Sequence, residues 1–330
     1  MARVASEIPI VCTASEPGAD GESTLRCMEV WGGNQPVRRM VSLLGLDAWV
    51  FSRPYLQAAA GGDVYYASSC ATGRIVRLLL ADVSGHGAAV GDIAIQLRSL
   101  MRSHVNRHSQ QSFVREMNKQ FTALSDGGSF ATAIVNTFFS PTNELTLCNA
   151  GHPAPLLYRA QTRQWSLLRP TDNGAERRDG EIWNLPLGIE GLSDYEQFVV
   201  ELHDGDIVLC YSDSLIEARG ADGKALGEAG LLAETSGLVL GEPSELITGL
   251  LDRLGALHEG NLVGDDVTVM MFRAKGNGRV PALGRRLLGP LRFLRASVLA
   301  LRDRQRLPLP DFTVRNLGGS VIPHFNGRRK

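Results

Sequence analysis

The chain has 330 residues and no apolar run long enough to span a bilayer. Its N-terminus carries Glu7, Pro9 and Glu16 where a secretory leader would be basic and then apolar, so a soluble, cytoplasmic protein is expected. Cysteine is scarce: Cys12, Cys27, Cys70, Cys148 and Cys210 make an odd number at wide, irregular spacings. No Cys-x-x-Cys pair occurs among them, which excludes a zinc ribbon and a thioredoxin-like motif. Cys148 and Cys210 fall in predicted strands and read as reduced, buried thiols. A Gly-x-Ser-x-Gly elbow is missing around Ser84 and Ser212, which removes a Ser-His-Asp hydrolase. No internal repeat is apparent.

Net charge is also lacking, at −1, but the balance is uneven along the chain. From Lys275 onward there are thirteen Lys and Arg against two acids, Asp303 and Asp311. The rest of the chain carries 21 basic and 33 acidic residues. An acidic body of this kind argues against a nucleic-acid-binding core.

Residues 1–45 show little periodicity and contain Gly32-Gly33-Asn34-Gln35-Pro36, a loop signature, so they read as an N-terminal extension or linker. Regular patterning occupies 46–274, and residues 275–330 form the basic tail. Strands are predicted at 63–67, 74–81, 130–139, 144–148, 155–158, 165–168 and 267–273. Residues 196–202 and 206–211 read as a further hairpin about His203-Asp204-Gly205. Helices are predicted at 88–105, where Ile93, Leu97, Leu100 and Met101 recur at helical spacing, and at 113–124, 228–235 and 243–257. Hairpins interrupted by paired helices imply two sheets covered by helices, an α+β arrangement distinct from an alternating parallel α/β fold.

Four aspartates stand where predicted strands meet loops: Asp63 after Gly61-Gly62, Asp82 before Val83-Ser84-Gly85-His86-Gly87, Asp213 in Tyr211-Ser212-Asp213, and Asp265 before Asp266-Val267-Thr268. Aspartate is common at such places because it caps turns. Four in this context, two of them beside glycines that let backbone approach closely, point further, to a cation site. Oxygen-only ligands select Mg²⁺ or Mn²⁺ over zinc or copper. Two such ions, about 3.5–4 Å apart, activate a water and stabilise the leaving oxygen of a phosphate ester.

These motifs, in this order, resemble the bacterial metal-dependent protein phosphatases of the PPM/PP2C superfamily, in the SpoIIE/RsbU-like branch. The resemblance also includes Phe130-Ala131-Thr132-Ala133, Asn149-Ala150-Gly151-His152-Pro153, Pro186-Leu187-Gly188 and Glu217-Ala218-Arg219, and covers roughly residues 45–274. It implies a PP2C-like four-layer α/β/β/α sandwich of two antiparallel sheets with a binuclear Mn²⁺ or Mg²⁺ centre at one end. By motif position Asp63 and Asp82 are shared or bridging ligands, Asp213 and Asp265 hold one metal, and the backbone carbonyl of Val83 is a further ligand. Asp266 is the less favoured of its pair, because the first acid of that motif normally coordinates. Two departures stand out: Tyr66 replaces a second Asp often found three residues after the first, and Ser214 replaces the usual glycine after Asp213. His86 reads either as a general acid for the leaving oxygen or as a polar residue opening the helix. His152, in a turn between strands, reads as structural.

The activity implied is a serine/threonine protein phosphatase in bacterial signalling, with a phosphorylated anti-sigma factor antagonist (STAS) protein as substrate. A pseudophosphatase that binds a phosphoprotein without turnover is the alternative, and Ser214 is the feature that feeds it. The run Asp204-Gly205-Asp206-Ile207-Val208 resembles a haloacid-dehalogenase nucleophile motif, but Glu201 and His203 precede it where that motif needs an apolar strand. In the tail, Leu287, Leu291, Leu294, Val298 and Leu301 recur at helical spacing among arginines. This is either an amphipathic helix for an anionic membrane surface or a partner's groove, or a helix packed back on the acidic body.

Overall fold

Alternation of apolar side chains along the strands sets the layers. The computed structural model describes residues 20–25, 29–70, 73–84, 93, 96–97, 99–100, 110–124, 130–170, 184–189, 195–239 and 241–276. Strands are numbered in chain order. A seven-stranded sheet runs β1 (Asp20–Thr24), β3 (Val37–Ser42), β4 (Leu46–Arg53), β13 (Val267–Ala274), β12 (Ile207–Tyr211), β9 (Leu156–Arg159), β10 (Gln164–Leu167). A six-stranded sheet runs β11 (Gln197–Glu201), β8 (Glu144–Ala150), β7 (Ala131–Phe139), β6 (Ile75–Val83), β5 (Asp63–Ser69), β2 (Val30–Gly33). Pairing is antiparallel throughout the described strands except at the β1–β3 edge, which is parallel.

On β6, Val76, Leu78 and Leu80 face the space between the sheets and pack with Val208, Cys210, Met270 and Phe272 of the other sheet. The intervening Leu79, Ala81 and Val83 face outward, against Phe113, Val114, Met117 and Phe121 of α1 (Gln110–Leu124). The short α2 (Ser214–Glu217) follows β12. On the far side, Leu209, Tyr211, Val269 and Met271 meet Leu231 of α3 (Gly227–Ser236) and Leu246, Leu250 and Leu254 of α4 (Pro243–Leu257). Each such buried side chain contributes roughly 1.5–3 kcal/mol, so three apolar interfaces weld four layers together. The fold is therefore the α/β/β/α sandwich expected. Cys70, Cys148 and Cys210 are free and buried, and burial pushes the thiols of Cys148 and Cys210 up to about 12.

Two expectations need correcting. Segments 196–202 and 206–211 are not a hairpin: β11 pairs with β8 and β12 with β9 and β13, so the chain crosses between sheets at His203–Asp206. Asp206 builds that corner, accepting hydrogen bonds from the amides of His203 (2.9 Å) and Ala160 (2.9 Å) and pairing with Arg159 (2.7 Å). This also disposes of a nucleophile role for Asp204-Gly205-Asp206. Secondly, segment 20–42, read as extension or linker, contributes β1 and β3 to one sheet and β2 to the other. The predicted helix at 88–105 is seen at 93, 96–97 and 99–100, with Leu97 and Leu100 buried in the outer core; its other residues, His86 and the tail beyond 276 lie outside the described residues. No described helix is long and apolar enough to cross a membrane.

Candidate metal centre

Antiparallel pairing brings the ends that carry the aspartates to one end of the sandwich. Asp63 opens β5 and stands directly opposite Asp82, near the end of β6; the next strand sets Thr132 opposite Asp82. All three share the parity of Leu80 and Ile134, which face the inter-sheet space, so this row points inward. In the facing sheet Thr268 shares the parity of Met270 and also points inward. Asp213 occupies the N-cap position of α2 but makes no side-chain cap bond, so its carboxylate is not consumed by capping.

The electrostatics tie these groups together. Burial, and then the charges of Asp213, Asp265, Asp266 and Glu217, push Asp82 up to about 7. Asp63 is raised well above the usual carboxylate range by burial and by Asp82, with the hydroxyls of Thr268 and Ser212 acting the other way. Asp213 is raised by burial, Glu217 and Asp265. The ion pairs described lie elsewhere, at Asp47, Asp206, Glu228 and Glu234.

A pH prediction follows. A carboxylate whose folded pKa is raised binds more protons folded than unfolded, so metal-free stability falls as pH rises from about 4 through 7. His152 has the opposite sign: burial lowers its ring to about 4, so its contribution is lost as pH falls below about 6.5. Between pH 6.5 and 8 the carboxylates act alone. Urea unfolding in EDTA is expected to show stability declining across that window, with a flatter profile in Asp82→Asn.

The adjacent acids Asp265 and Asp266 divide their work. The Asp266 carboxylate accepts the amides of Tyr55 (2.6 Å), Gly62 and Asp63 (3.1 Å), pinning the β4–β5 crossing. Gly61 allows this approach, since a Cβ there would lie 2.6 Å from an Asp266 carboxylate oxygen. Asp265 accepts the Asp266 amide with one carboxylate oxygen (2.7 Å). Val83 ends β6, its amide bonded to the Gly62 carbonyl (3.2 Å), one residue from Asp82.

The serine at 214 is buried, and its Oγ lies 3.1 Å from Oγ of Ser212. Ser212 Oγ in turn accepts the Thr268 amide (2.9 Å). The added hydroxyl is thus engaged within the β12–β13 framework. Ser214→Gly is expected to change turnover of a phosphomonoester by less than about threefold, a difference under 1 kcal/mol in barrier; a rise of a hundredfold would favour the pseudophosphatase reading.

His152 occupies the β8–β9 crossing. Its ring Nδ1 is 2.8 Å from Oγ1 of Thr132, and its main chain is clasped by Asn149 (2.7 Å, twice). Gly151 makes the turn at φ +71, where a Cβ would lie 2.7 Å from Pro186. The motif Pro186-Leu187-Gly188 serves as a brace: Leu187 pairs with Ala131, and the Gly188 amide bonds Asn118 of α1 (2.9 Å). Sequence reasoning missed Glu217 as part of the acidic group. Its spacing four residues after Asp213, one helical turn, was the available signal.

Among the described residues no three acidic, histidine or cysteine side chains already converge as a cage for one ion. The donor set nevertheless fits a hard divalent cation. Oδ2 of Asp63 is buried with no hydrogen-bond partner, amid like charges, a condition that costs free energy unless a proton or a cation offsets it.

The sequence matches the family described as Stage II sporulation protein E (SpoIIE) over residues 72–275. It is 24% identical over 232 residues to the phosphoserine phosphatase RsbU of Bacillus subtilis (strain 168), covering 70% of this chain and 64% of that protein, so it spans under two thirds of this curated relative. The structure resembles the PP2C phosphatase domain, with a fragment of the regulatory domain, of SpoIIE from Bacillus subtilis (16% identity, 69% of this chain and 63% of that one, TM-score 0.57). It also resembles RsbX in complex with magnesium (12% identity, 72% and 100%, TM-score 0.51).

Proposed function

The chain belongs to the SpoIIE family, and from that premise we propose that it is a Mn²⁺- or Mg²⁺-dependent serine/threonine protein phosphatase in bacterial signalling, acting on a phosphorylated STAS-domain protein. The observation that carries this reading is the orphaned, buried carboxylate oxygen of Asp63, a residue that strand register sets opposite Asp82 at the sandwich end. Asp63, Asp82, Asp213, Asp265 and the Val83 carbonyl would hold the ions. Divalent cations there supply Lewis acidity toward phosphoryl oxygens and acidify water.

The chain's own residues supply the rest. Asp63 and Asp82 are fixed by strand register, so their carboxylates hold one separation without loop rearrangement. Asp266 ties the Tyr55–Gly62 crossing to β13, which keeps the two sheets' ligands in register. Thr268 and Ser212 place hydroxyls against Asp63, and Thr132, held by His152, flanks Asp82. The deciding assay is phosphate release from p-nitrophenyl phosphate and a serine-phosphorylated protein, with Mn²⁺ and with EDTA. Manganese-dependent release abolished by EDTA is expected; a folded chain inert toward both substrates with Mn²⁺ present would sink the proposal.

A further inference from the structure

Thr132 stands directly opposite Asp82 on the neighbouring strand, in the row that faces the inter-sheet space. Side chains paired in this way have Cβ atoms about 4.5–5.5 Å apart, close enough for a hydroxyl to bond a carboxylate. Among the described residues no hydrogen bond to the Asp82 side chain is formed. Burial and neighbouring charges act on it. Asp63, one strand over, differs, since the hydroxyls of Thr268 and Ser212 both act on its carboxyl group.

His152 decides where the Thr132 proton goes. Oγ1 of Thr132 lies 2.8 Å from Nδ1 of the imidazole. A hydroxyl has one proton to give, and an imidazole nitrogen either donates or accepts, so the direction of this bond sets what Thr132 can offer Asp82. The ring is buried and lowered to about 4, so at neutral pH it carries a single N–H. With Nδ1 turned to Thr132, the other nitrogen, Nε2, is buried and completes no hydrogen bond. The main-chain carbonyl of Tyr211 bears on the ring and favours a proton there, and a carbonyl can only accept. From these partners the ring proton is assigned to Nε2, which makes Nδ1 the acceptor of the Thr132 hydroxyl.

The imidazole is held in this pose by its own turn. Asn149 clasps the His152 main chain at both its amide and its carbonyl (2.7 Å each), and Gly151 turns the chain at φ +71. The Tyr211 hydroxyl donates to the Ala154 carbonyl (2.7 Å), which bonds the same turn to the strand that leads into Asp213.

We propose that His152 is a positioning residue: by accepting the Thr132 hydroxyl it withholds the one proton that would otherwise bond the Asp82 carboxylate, and so leaves that carboxylate to a divalent cation. This rests on the metal-centre reading and gives a task within it to a residue outside the ligand set.

The tautomer is read from long-range proton–nitrogen correlation spectra of the metal-free, nitrogen-labelled protein, with the His152 signals identified by their loss in His152→Gln. A proton on Nε2 and a bare Nδ1 are expected; a proton on Nδ1 overturns the proposal. Calorimetric Mn²⁺ titration then compares wild type, His152→Phe, which keeps a planar ring but removes the acceptor, and the double variant His152→Phe/Thr132→Val. His152→Phe should bind about tenfold more weakly, the scale of a hydrogen bond to a charged group competing with the cation. The double variant has no hydroxyl to turn on Asp82 and should return to within about threefold of wild type. A merely structural histidine would leave the double variant as weak as the single one, and that result overturns the proposal, as does His152→Phe binding like wild type. His152→Gln, whose amide oxygen can take the same proton, should stay within about threefold of wild type; a loss of about tenfold there overturns the proposal even if His152→Phe fails to fold. Absence of Mn²⁺ binding to wild type overturns the metal-centre reading itself, whereas the tautomer measurement needs no metal.

Discussion

Asp82→Asn is expected to make the metal-free protein more stable while removing its activity. The carboxylate is half-buried, and desolvation, then the charges of Asp213, Asp265, Asp266 and Glu217, push it up to about 7 from an ordinary value of 3.8. Ionising it at pH 8 therefore costs free energy in the folded state. A rise of this size corresponds to about 4 kcal/mol, and relaxation and water reduce the recoverable part to roughly 2 kcal/mol. In EDTA at pH 8 the melting temperature should rise by about 5 °C. The rise in melting temperature that Mn²⁺ gives wild type should disappear, and phosphate release should fall by about a thousandfold, the ~4 kcal/mol that losing the cation's charge stabilisation implies. A melting temperature that falls, with the Mn²⁺ effect intact, would show that Asp82 is an ordinary structural carboxylate.

Asp266→Asn should do the reverse and damage the scaffold first. Its carboxylate accepts three main-chain amides across the β4–β5 crossing, two of them adjoining or belonging to Asp63. An amide side chain offers one acceptor oxygen and turns an NH₂ toward donors, so at least one amide loses its partner. Hydrogen bonds to a charged group are worth about 1.5–3 kcal/mol each, and a loss of roughly 3 kcal/mol is expected in urea unfolding. Asp265→Asn, one residue away, should cost under about 1 kcal/mol of stability yet weaken Mn²⁺ binding at least about tenfold. Identical behaviour of the two variants would erase the division between ligand and pin.

How much of this was legible in the sequence depended on the kind of signal. The sandwich was readable because strands such as Ile75–Val83 alternate between two buried faces and α4 repeats apolar residues at Leu246, Leu250 and Leu254. The crossing at His203–Asp206 was misread because a glycine turn between two strands looks the same whether the second strand folds back or changes sheets. What decided it was Asp206 binding Arg159 and Ala160, partners more than forty residues away. Strands β2 and β3 were missed because the glycines at 32–33 and Arg38 and Arg39 break the alternation, and pairing with β5 and β4 orders them.

At the site, the motif aspartates were visible one by one. Their placement was not, since the Asp63–Asp82 register and the bonds from Asp266 to the β4–β5 crossing exist only once both sheets are stacked. Ser214 is the clearest case: its side chain near the aspartates suggested interference, and its direction toward Ser212 is a rotamer outcome that no spacing encodes.

The most direct measurement is calorimetric titration of Mn²⁺ into the EDTA-treated and dialysed protein, beside Asp82→Asn. Saturable binding to wild type, lost or weakened at least about tenfold in the variant, is the expected result. Equal binding to both proteins, or none to a wild type that still releases phosphate, would contradict a cation centre built on these aspartates.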